Sequence, residues 1–287
     1  METANRSETG EAGETVETVT RHYARSGSLA QSILDIAHRF ADGRQPTVGD
    51  LAPLDQFHMR GEEATVEFAE MVRPKAGEVC LDLGCGIGGP ARWLATHCDV
   101  EVLGFDLTES YCQDAAALSR AVGLSERVRF ACADATRLPL AEDSVDLVWT
   151  QHAAMNVPDK AALYREVARV LKRGGRLALH DIMAGPEGLP HFPVPWASAP
   201  EGSFLLSARE IRALLAEAGL EELVWHDHTA DALAWVHRRR ADIEAGTPRP
   251  PGPHLFLGPG FKEMSSNLGR SLEDGRITVH MALLEKP

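Results

Sequence analysis

Asp82-Leu83-Gly84-Cys85-Gly86-Ile87-Gly88-Gly89 stands between a short apolar run at 79–83 and a helical pattern over 88–97. Glycines there let the chain turn sharply and bring bare backbone against a ligand, because no Cβ stands in the way. Gly84, Gly86 and Gly89 also satisfy GxGxxG, the dinucleotide fingerprint, so the loop alone leaves two readings open. Asp106, ending the next strand, suits ribose hydroxyls in both. Three features separate them. Asp82 lies inside the strand end, where a carboxylate reaches the ammonium of an amino-acid-bearing cofactor, a group that a nicotinamide dinucleotide lacks. Cys132-Ala133-Asp134-Ala135 ends the third strand, and an acid there is placed to accept from an adenine amino group. Asp274-Gly275 joins the last helix to a final strand, and so tight a turn joins antiparallel neighbours.

Outward from this loop, apolar runs at 79–83, 100–105, 128–132, 145–149 and 176–179 read as strands, with two more at 222–226 and 277–284. The first five are apolar on both sides of the pleat, as parallel strands covered by helices must be. Helices are expected near 88–97, 109–122 and 158–172, the last beginning at Pro158 and ending at Gly174-Gly175. Ser207-Ala208-Arg209-Glu210 is a capping box before a stripe of Ile211, Leu214, Leu215 and Ala218. Further helices are expected around 230–240 and from Phe261 through Leu272. Upstream, Leu29, Ile33, Ile36, Ala37 and Phe40 make one helical stripe, 46–60 reads as loop, and a second helix covers 62–72. The fold class is therefore α/β: a doubly wound, mostly parallel seven-stranded sheet with an antiparallel final strand and an N-terminal helical cap. Residues 1–20 are expected to be a disordered acidic tail. Residues 21–287 form one domain, with cap helices in 21–72 and a proline-rich lid insert at 185–206.

Composition narrows the function. The 287 residues carry a net charge of −13, and the first twenty alone hold five Glu against one Arg. Phosphate contacts need Lys and Arg, so nucleic acid is excluded as a partner. The one basic run, 237–240, reads as a solvated helix end. No apolar run approaches membrane-spanning length and no secretory signal precedes the domain, so the chain is expected in the cytoplasm, away from membranes. Five cysteines without CxxC spacing read as reduced, buried thiols. His226-Asp227-His228 lacks a third ligand at a defined spacing, so no metal is expected.

The loop at 82–89, Asp106, the Ala-Asp-Ala at 133–135, 145–149 and 170–179 together resemble the class I S-adenosylmethionine-dependent methyltransferases, in order and spacing. More narrowly, Asp55-Gln56-Phe57-His58 with Arg60-Gly61, then Trp149-Thr150-Gln151 and Asp159-Lys160, resemble bacterial sarcosine/dimethylglycine N-methyltransferases and their relatives. The resemblance implies S-adenosyl-L-methionine as cofactor and S-adenosyl-L-homocysteine as product. It implies that Gly84, Gly86 and Gly88 cradle the methionine part and ribose. Asp106 would bind both ribose hydroxyls, Leu107, Asp134 and Ala135 would meet the adenine, and Gln151 would lie beside the sulfonium. Tyr23 would fold over the cofactor.

In doubly wound sheets ligands sit outside the carboxyl ends of the strands. This places His152, Met155 and Asn156, after the fourth strand, and His180, after the fifth, at the methyl acceptor. His191 and Trp196 belong to the lid over it. His152 stands either as a base for a hydroxyl or as an imidazole that orients the substrate. The expected partner is a small-molecule methyl acceptor, with N-methylation of a small amine or amino acid first and O- or C-methylation second. A homodimer stays open. Two other classes are kept: a nicotinamide-dependent dehydrogenase, supported only by GxGxxG, and a cofactor-binding protein without catalysis.

Overall fold

The computed structural model describes residues 28–248, 251–257 and 260–287; the 1–20 stretch and Tyr23 fall outside these. Seven strands make one sheet: β1 Val79–Leu83, β2 Glu101–Asp106, β3 Val128–Cys132, β4 Val145–Gln151, β5 Leu171–Ala184, β6 Glu221–Asp227 and β7 Ile277–Glu285. Their order is β3-β2-β1-β4-β5-β7-β6. The pairs β1–β2, β2–β3, β1–β4 and β4–β5 are parallel, and β7 runs antiparallel to both β5 and β6. This is the expected sheet, and the Asp274-Gly275 turn is what sends the last strand back between its neighbours.

The helices are α1 Leu29–Phe40, α2 Val48–Asp55, α3 Glu62–Val72, α4 Gly89–His97, α5 Glu109–Ala121, α6 Lys160–Val170, α7 Ala208–Glu217, α8 Thr229–Glu244 and α9 Gly260–Glu273. Residues of α6 and α7 build one core layer against the sheet, around Leu81, Val148, Leu163, Leu179 and Ile211. Phe68, Trp93, Leu94 and Trp149 build the layer on the other side. A third cluster joins the insert to α8, α9 and β7 through Val194, Trp196, Ala232, Leu272 and Val279. The fourth packs α1 and α2 on α5.

Local chemistry sets the helix ends. Ser28 Oγ accepts from Gln31 N, and the Asp114 carboxylate of α5 accepts from the Leu29 and Ala30 N–H groups at 3.1 Å. An anion at a helix N-terminus meets orphan donors and the positive end of the dipole, so Asp114 pins α1 down. The capping box at Ser207–Glu210 is present.

Five sequence expectations are corrected. Residues 48–55 are helix α2, not loop: Thr47 and Asp50 form a capping box, while Pro53 and the lack of an apolar stripe hid it from a periodicity reading. Phe40 is 59% exposed, because the chain leaves α1 there and buries Ala41 instead. The sixth helix starts after its Asp159 cap and stops at Val170; Leu171 already pairs with Val145, and Gly174-Gly175 lie within β5 rather than ending the helix. Cys132 is exposed and Cys98 half-buried, the former because β3 is an edge strand. The basic run at 237–240 sits within α8, where Arg238 pairs with Glu63, and His237 and Arg240 with Glu273.

Candidate active site

The loop after β1 is held by two N–H groups, Gly84 and Cys85, that both donate to Phe105 O at 2.8 and 3.0 Å. Gly84 has φ +77°, and a Cβ on it would lie 2.2 Å from the Ala153 Cβ, so side chains are barred by both conformation and space. Gly86, at φ +53°, faces open space instead, with nothing within 4 Å of its Cβ position. The loop thus presents bare backbone outward. Asp106, at the end of β2, accepts from Gly86 N at 2.9 Å and from Thr108 N at 2.8 Å. Burial pushes its carboxyl upward against those two bonds. Asp82 is 2% exposed, and its Oδ2 has no hydrogen-bond partner. Burial first, then the Asp106 charge, raise its carboxyl to about 7. A buried carboxylate oxygen without a partner is costly, and an ammonium placed against it would satisfy it.

At the far side of this loop Leu107 is half-buried, Asp134 is exposed and Ala135 half-buried. Asp134 Oδ1 accepts from Thr136 N and Oγ1, both at 2.8 Å, which orders the turn leaving β3.

Three histidines gather at the carboxyl end of β4: His152 just past it, His58 from the chain between α2 and α3, and His180, which lies within β5 opposite Gln151 rather than after that strand as expected, because β5 runs on to Ala184. Ring centroids lie 4.7 Å apart for His152–His180, 5.9 Å for His58–His180 and 6.0 Å for His58–His152. Burial keeps all three neutral: His58 is lowered to about 4, and His152 and His180 fall well below the ordinary histidine range. Their hydrogen bonds assign the tautomers. Trp149 Nε1 donates to Gln151 Oε1 at 2.7 Å, so the Gln151 amide nitrogen faces His180 Nδ1, 3.2 Å away, and donates to it. Met59 N donates to His152 Nδ1 at 3.4 Å. Both rings therefore carry their proton on Nε2. His152 Nε2 is buried and without a partner, and the residue itself is held at φ +52°. A non-glycine residue in that region is strained, and such strain gathers at functional sites.

Met155 and Asn156 form a short 3₁₀ turn beside this cluster. It is held from below: Lys160 Nζ donates to Ala154 O and Val157 O at 2.7 and 2.9 Å, and the Asp181 carboxylate accepts from the Ala154, Met155 and Ile182 N–H groups. Phe204 N donates to Met155 O at 3.0 Å, which fastens the insert to the same turn. Trp196 is buried with Met59, Met155 and Ile182, and its Nε1 donates to Ser203 Oγ. His191 does not join the cluster: its Nε2 is bound to Asp274 at 2.6 Å.

Sequence reading left His58, Thr65 and Gln56 without a role. Thr65 Oγ1 donates to Gln56 Oε1 at 2.8 Å and lies 3.0 Å from His58 Nε2. Gln56 and His58 belong to the Asp55–Gly61 motif, while Thr65, on α3, lies outside it. Asp55 itself pairs with Arg92 at 2.8 Å, both fully buried. Among the described residues no group of three or more His, Cys, Asp or Glu is arranged to hold a metal, and no helix is long and apolar enough to cross a membrane.

A sheet of this order, with a glycine loop after β1 and an acid ending β2, defines the class I methyltransferase fold. Residues 81–179 match the family described as "Methyltransferase domain". It is 40% identical over 134 residues to methyltransferase GfsG of Streptomyces halstedii, covering 47% of this chain and 48% of that protein. It is 33% identical over 184 residues to phosphoethanolamine N-methyltransferase 1 of Triticum aestivum, covering 64% of this chain and 36% of that protein. These matches span about half or less of each relative. The fold is that of geranyl diphosphate C-methyltransferase from Streptomyces coelicolor A3(2), at TM-score 0.70 and 20% identity, covering 95% of this chain and 98% of the other.

Proposed function

We propose that this protein methylates a small molecule from S-adenosylmethionine, and that the atom methylated is the nitrogen of a small amine or amino acid. The cofactor's sulfonium supplies an electrophilic methyl group, so the protein has to position the nucleophile rather than create it. The residues present fit the cofactor. Gly86 offers open backbone, Asp106 an acid at the end of β2, and Asp82 an unpartnered buried oxygen for the ammonium. The relatives' names, N-methyltransferase and C-methyltransferase among them, support methyl transfer to small molecules and leave the atom open.

One observation favours nitrogen. His152 carries its proton on Nε2, and its Nδ1 is taken by Met59 N. In that state it donates a hydrogen bond and takes no proton, which orients an acceptor but does not activate a hydroxyl. An amine needs only to be neutral. O- or C-methylation is the second reading, favoured by the apolar Val194, Trp196, Met155 and Met59 packed beside the cluster.

Turnover of a panel of small amines and amino acids, read as S-adenosylhomocysteine formed, tests the first reading. With the acceptor found, His152→Gln is expected to raise KM and to lower kcat by less than ~10²-fold, the floor for losing a general base. A fall of about three orders in kcat, with loss of the acidic limb of the pH profile, would mean a base and point to oxygen.

Asp82 gives a pH dependence of binding. With its carboxyl raised to about 7, it must lose a proton before it can pair with an ammonium, so lower pH opposes binding. S-adenosylmethionine affinity should fall by up to about tenfold per unit as pH drops below 7, and Asp82→Asn should flatten that slope. Calorimetry from pH 5.5 to 8 decides it, and an unchanged slope in the variant removes Asp82 from the ammonium.

A further inference from the structure

Asp159 and Lys160 stand together in the sequence, and the structure gives them different work. Asp159 caps α6, its carboxylate accepting from Ala162 N at 2.8 Å, which serves the fold. Lys160 is the first residue of α6, where a cation opposes the positive end of the helix dipole. It is also 4% exposed, so its charge has left water. A lysine is almost never buried that far unless its charge is used.

The ammonium serves the turn that follows β4. Nζ donates to Ala154 O at 2.7 Å and to Val157 O at 2.9 Å, so one charge bridges the start of the 3₁₀ turn and the residue that leaves it. The same stretch of backbone reaches the rest of the site. His152 N donates to His180 O at 2.8 Å, and Phe204 N of the insert donates to Met155 O at 3.0 Å. Ala153 lies against the glycine loop, where a Cβ on Gly84 would come 2.2 Å from the Ala153 Cβ. One turn thus meets the cofactor loop, the histidine cluster and the insert, and Lys160 ties its two ends together.

We propose that Lys160 is a positioning residue for methyl transfer: its ammonium fixes the turn at 153–157 and so sets where Met155 and Asn156 hold the acceptor against the methyl group. The inference rests on reading this face as the acceptor site, and is independent of which atom is methylated.

The fold alone does not call for a cation here. Methionine has nearly the same length, and replacing buried ions by apolar groups of similar volume is often neutral or stabilising. What methionine cannot do is donate to two carbonyl oxygens, and hydrogen bonds from a charged donor are roughly twice as strong as neutral ones. Burial lowers the Lys160 ammonium, and the Asp181 charge opposes that fall. Asp181 is 4% exposed and accepts from Ile182 N at 2.9 Å, so it is held in place on β5. Methyl transfer tolerates little displacement, since a misplacement of about 1 Å costs on the order of 10²-fold in rate. A turn freed from Lys160 needs to shift only that far.

Four full-length proteins are compared: the wild type, Lys160→Met, Lys160→Arg, and Lys160→Met combined with Asp181→Asn. All are measured at a temperature where circular dichroism shows them folded. The readouts are calorimetry with S-adenosylmethionine, steady-state turnover of ethanolamine, glycine and sarcosine, and amide hydrogen exchange over 152–160. Lys160→Met is expected to bind S-adenosylmethionine within about threefold of the wild type and to lose roughly 100-fold in kcat, with the KM of the amine changed far less. Its Asn156 and Val157 amides, which donate to Ala153 O and Ala154 O, should exchange at least about tenfold faster. Arginine keeps a charged donor under the turn and should recover most of kcat. The double variant removes the charge that the single one leaves unpaired, so it should regain melting temperature without regaining kcat, a split that a merely structural lysine would not give. A folded Lys160→Met with wild-type kcat, unchanged exchange over 152–160, or a double variant that regains kcat along with stability overturns the proposal. A wild type that binds S-adenosylmethionine and methylates none of the three amines overturns instead the reading of nitrogen as the acceptor, and the exchange measurement then decides the role of Lys160.

Discussion

Asp55→Ala should cost about 3–5 kcal/mol of folding stability, the range for breaking a buried ion pair by removing one partner. Arg92 is fully buried, and its guanidinium donates to Asp55 Oδ2, Ile87 O, Ala115 O and Ser119 Oγ. Asp55 is the one charge among these partners. Without it the cation stays dehydrated with only neutral acceptors. Burial pushes the Asp55 carboxyl upward and the Arg92 charge opposes that, as expected of a pair that is stable only together. The loss should lower the melting temperature by on the order of 10 °C in a chain of this size. Asp55→Leu combined with Arg92→Met should recover much of it, since an apolar pair leaves no uncompensated charge. Chemical denaturation of the three variants is the measurement. A loss below about 1 kcal/mol in Asp55→Ala would show that water or a shifted neighbour replaces the carboxylate.

The same pair shows what the sequence made legible and what it hid. Asp55 lies in a motif quoted from the sequence, before Gln56-Phe57-His58, and Arg92 stands just after the glycine loop. Their meeting across 37 residues follows no local pattern. The sheet was readable because each strand is an apolar run with its own period, and because a two-residue turn permits only one return. Helix α2 was not, since a short buried helix with a proline and no stripe has no 3.6-residue signal.

The site divides in the same way. Gly84, Gly86, Asp82 and Asp106 could be placed because strand ends and loop fix them together. The histidine cluster needs three elements in space: His58 from the chain between α2 and α3, His152 beyond β4, and His180 on β5. His152 and His180 follow from the rule that ligands sit at carboxyl strand ends, while His58 arrives from the cap, where that rule is silent. His191 shows the opposite error. Its place in the insert suggested the acceptor, but the insert folds over α9, and Asp274 takes the ring.

Asp106→Ala should weaken S-adenosylmethionine binding by ~1.5–3 kcal/mol, the scale of lost hydrogen bonds to a charged group, or roughly 10–150-fold in Kd. Two effects add. The first is direct, if Asp106 holds the ribose hydroxyls as proposed. The second lies in the protein alone: Gly86 N and Thr108 N lose their acceptor, so the loop and the start of α5 are no longer tied to the end of β2. A third effect runs the other way. The Asp106 charge helps to raise Asp82, so its removal lets Asp82 ionise more readily and strengthens whatever Asp82 holds. Asp106→Asn separates these contributions. It keeps an oxygen for the backbone donors and removes the charge, so it should retain more affinity than alanine and shift the pH dependence of binding toward lower pH. Calorimetry across pH on the folded variants reads both quantities, with circular dichroism to establish folding. Equal affinity in the wild type and the alanine variant would remove Asp106 from the cofactor site. An unshifted pH dependence in the asparagine variant would mean that the two carboxylates do not sense each other.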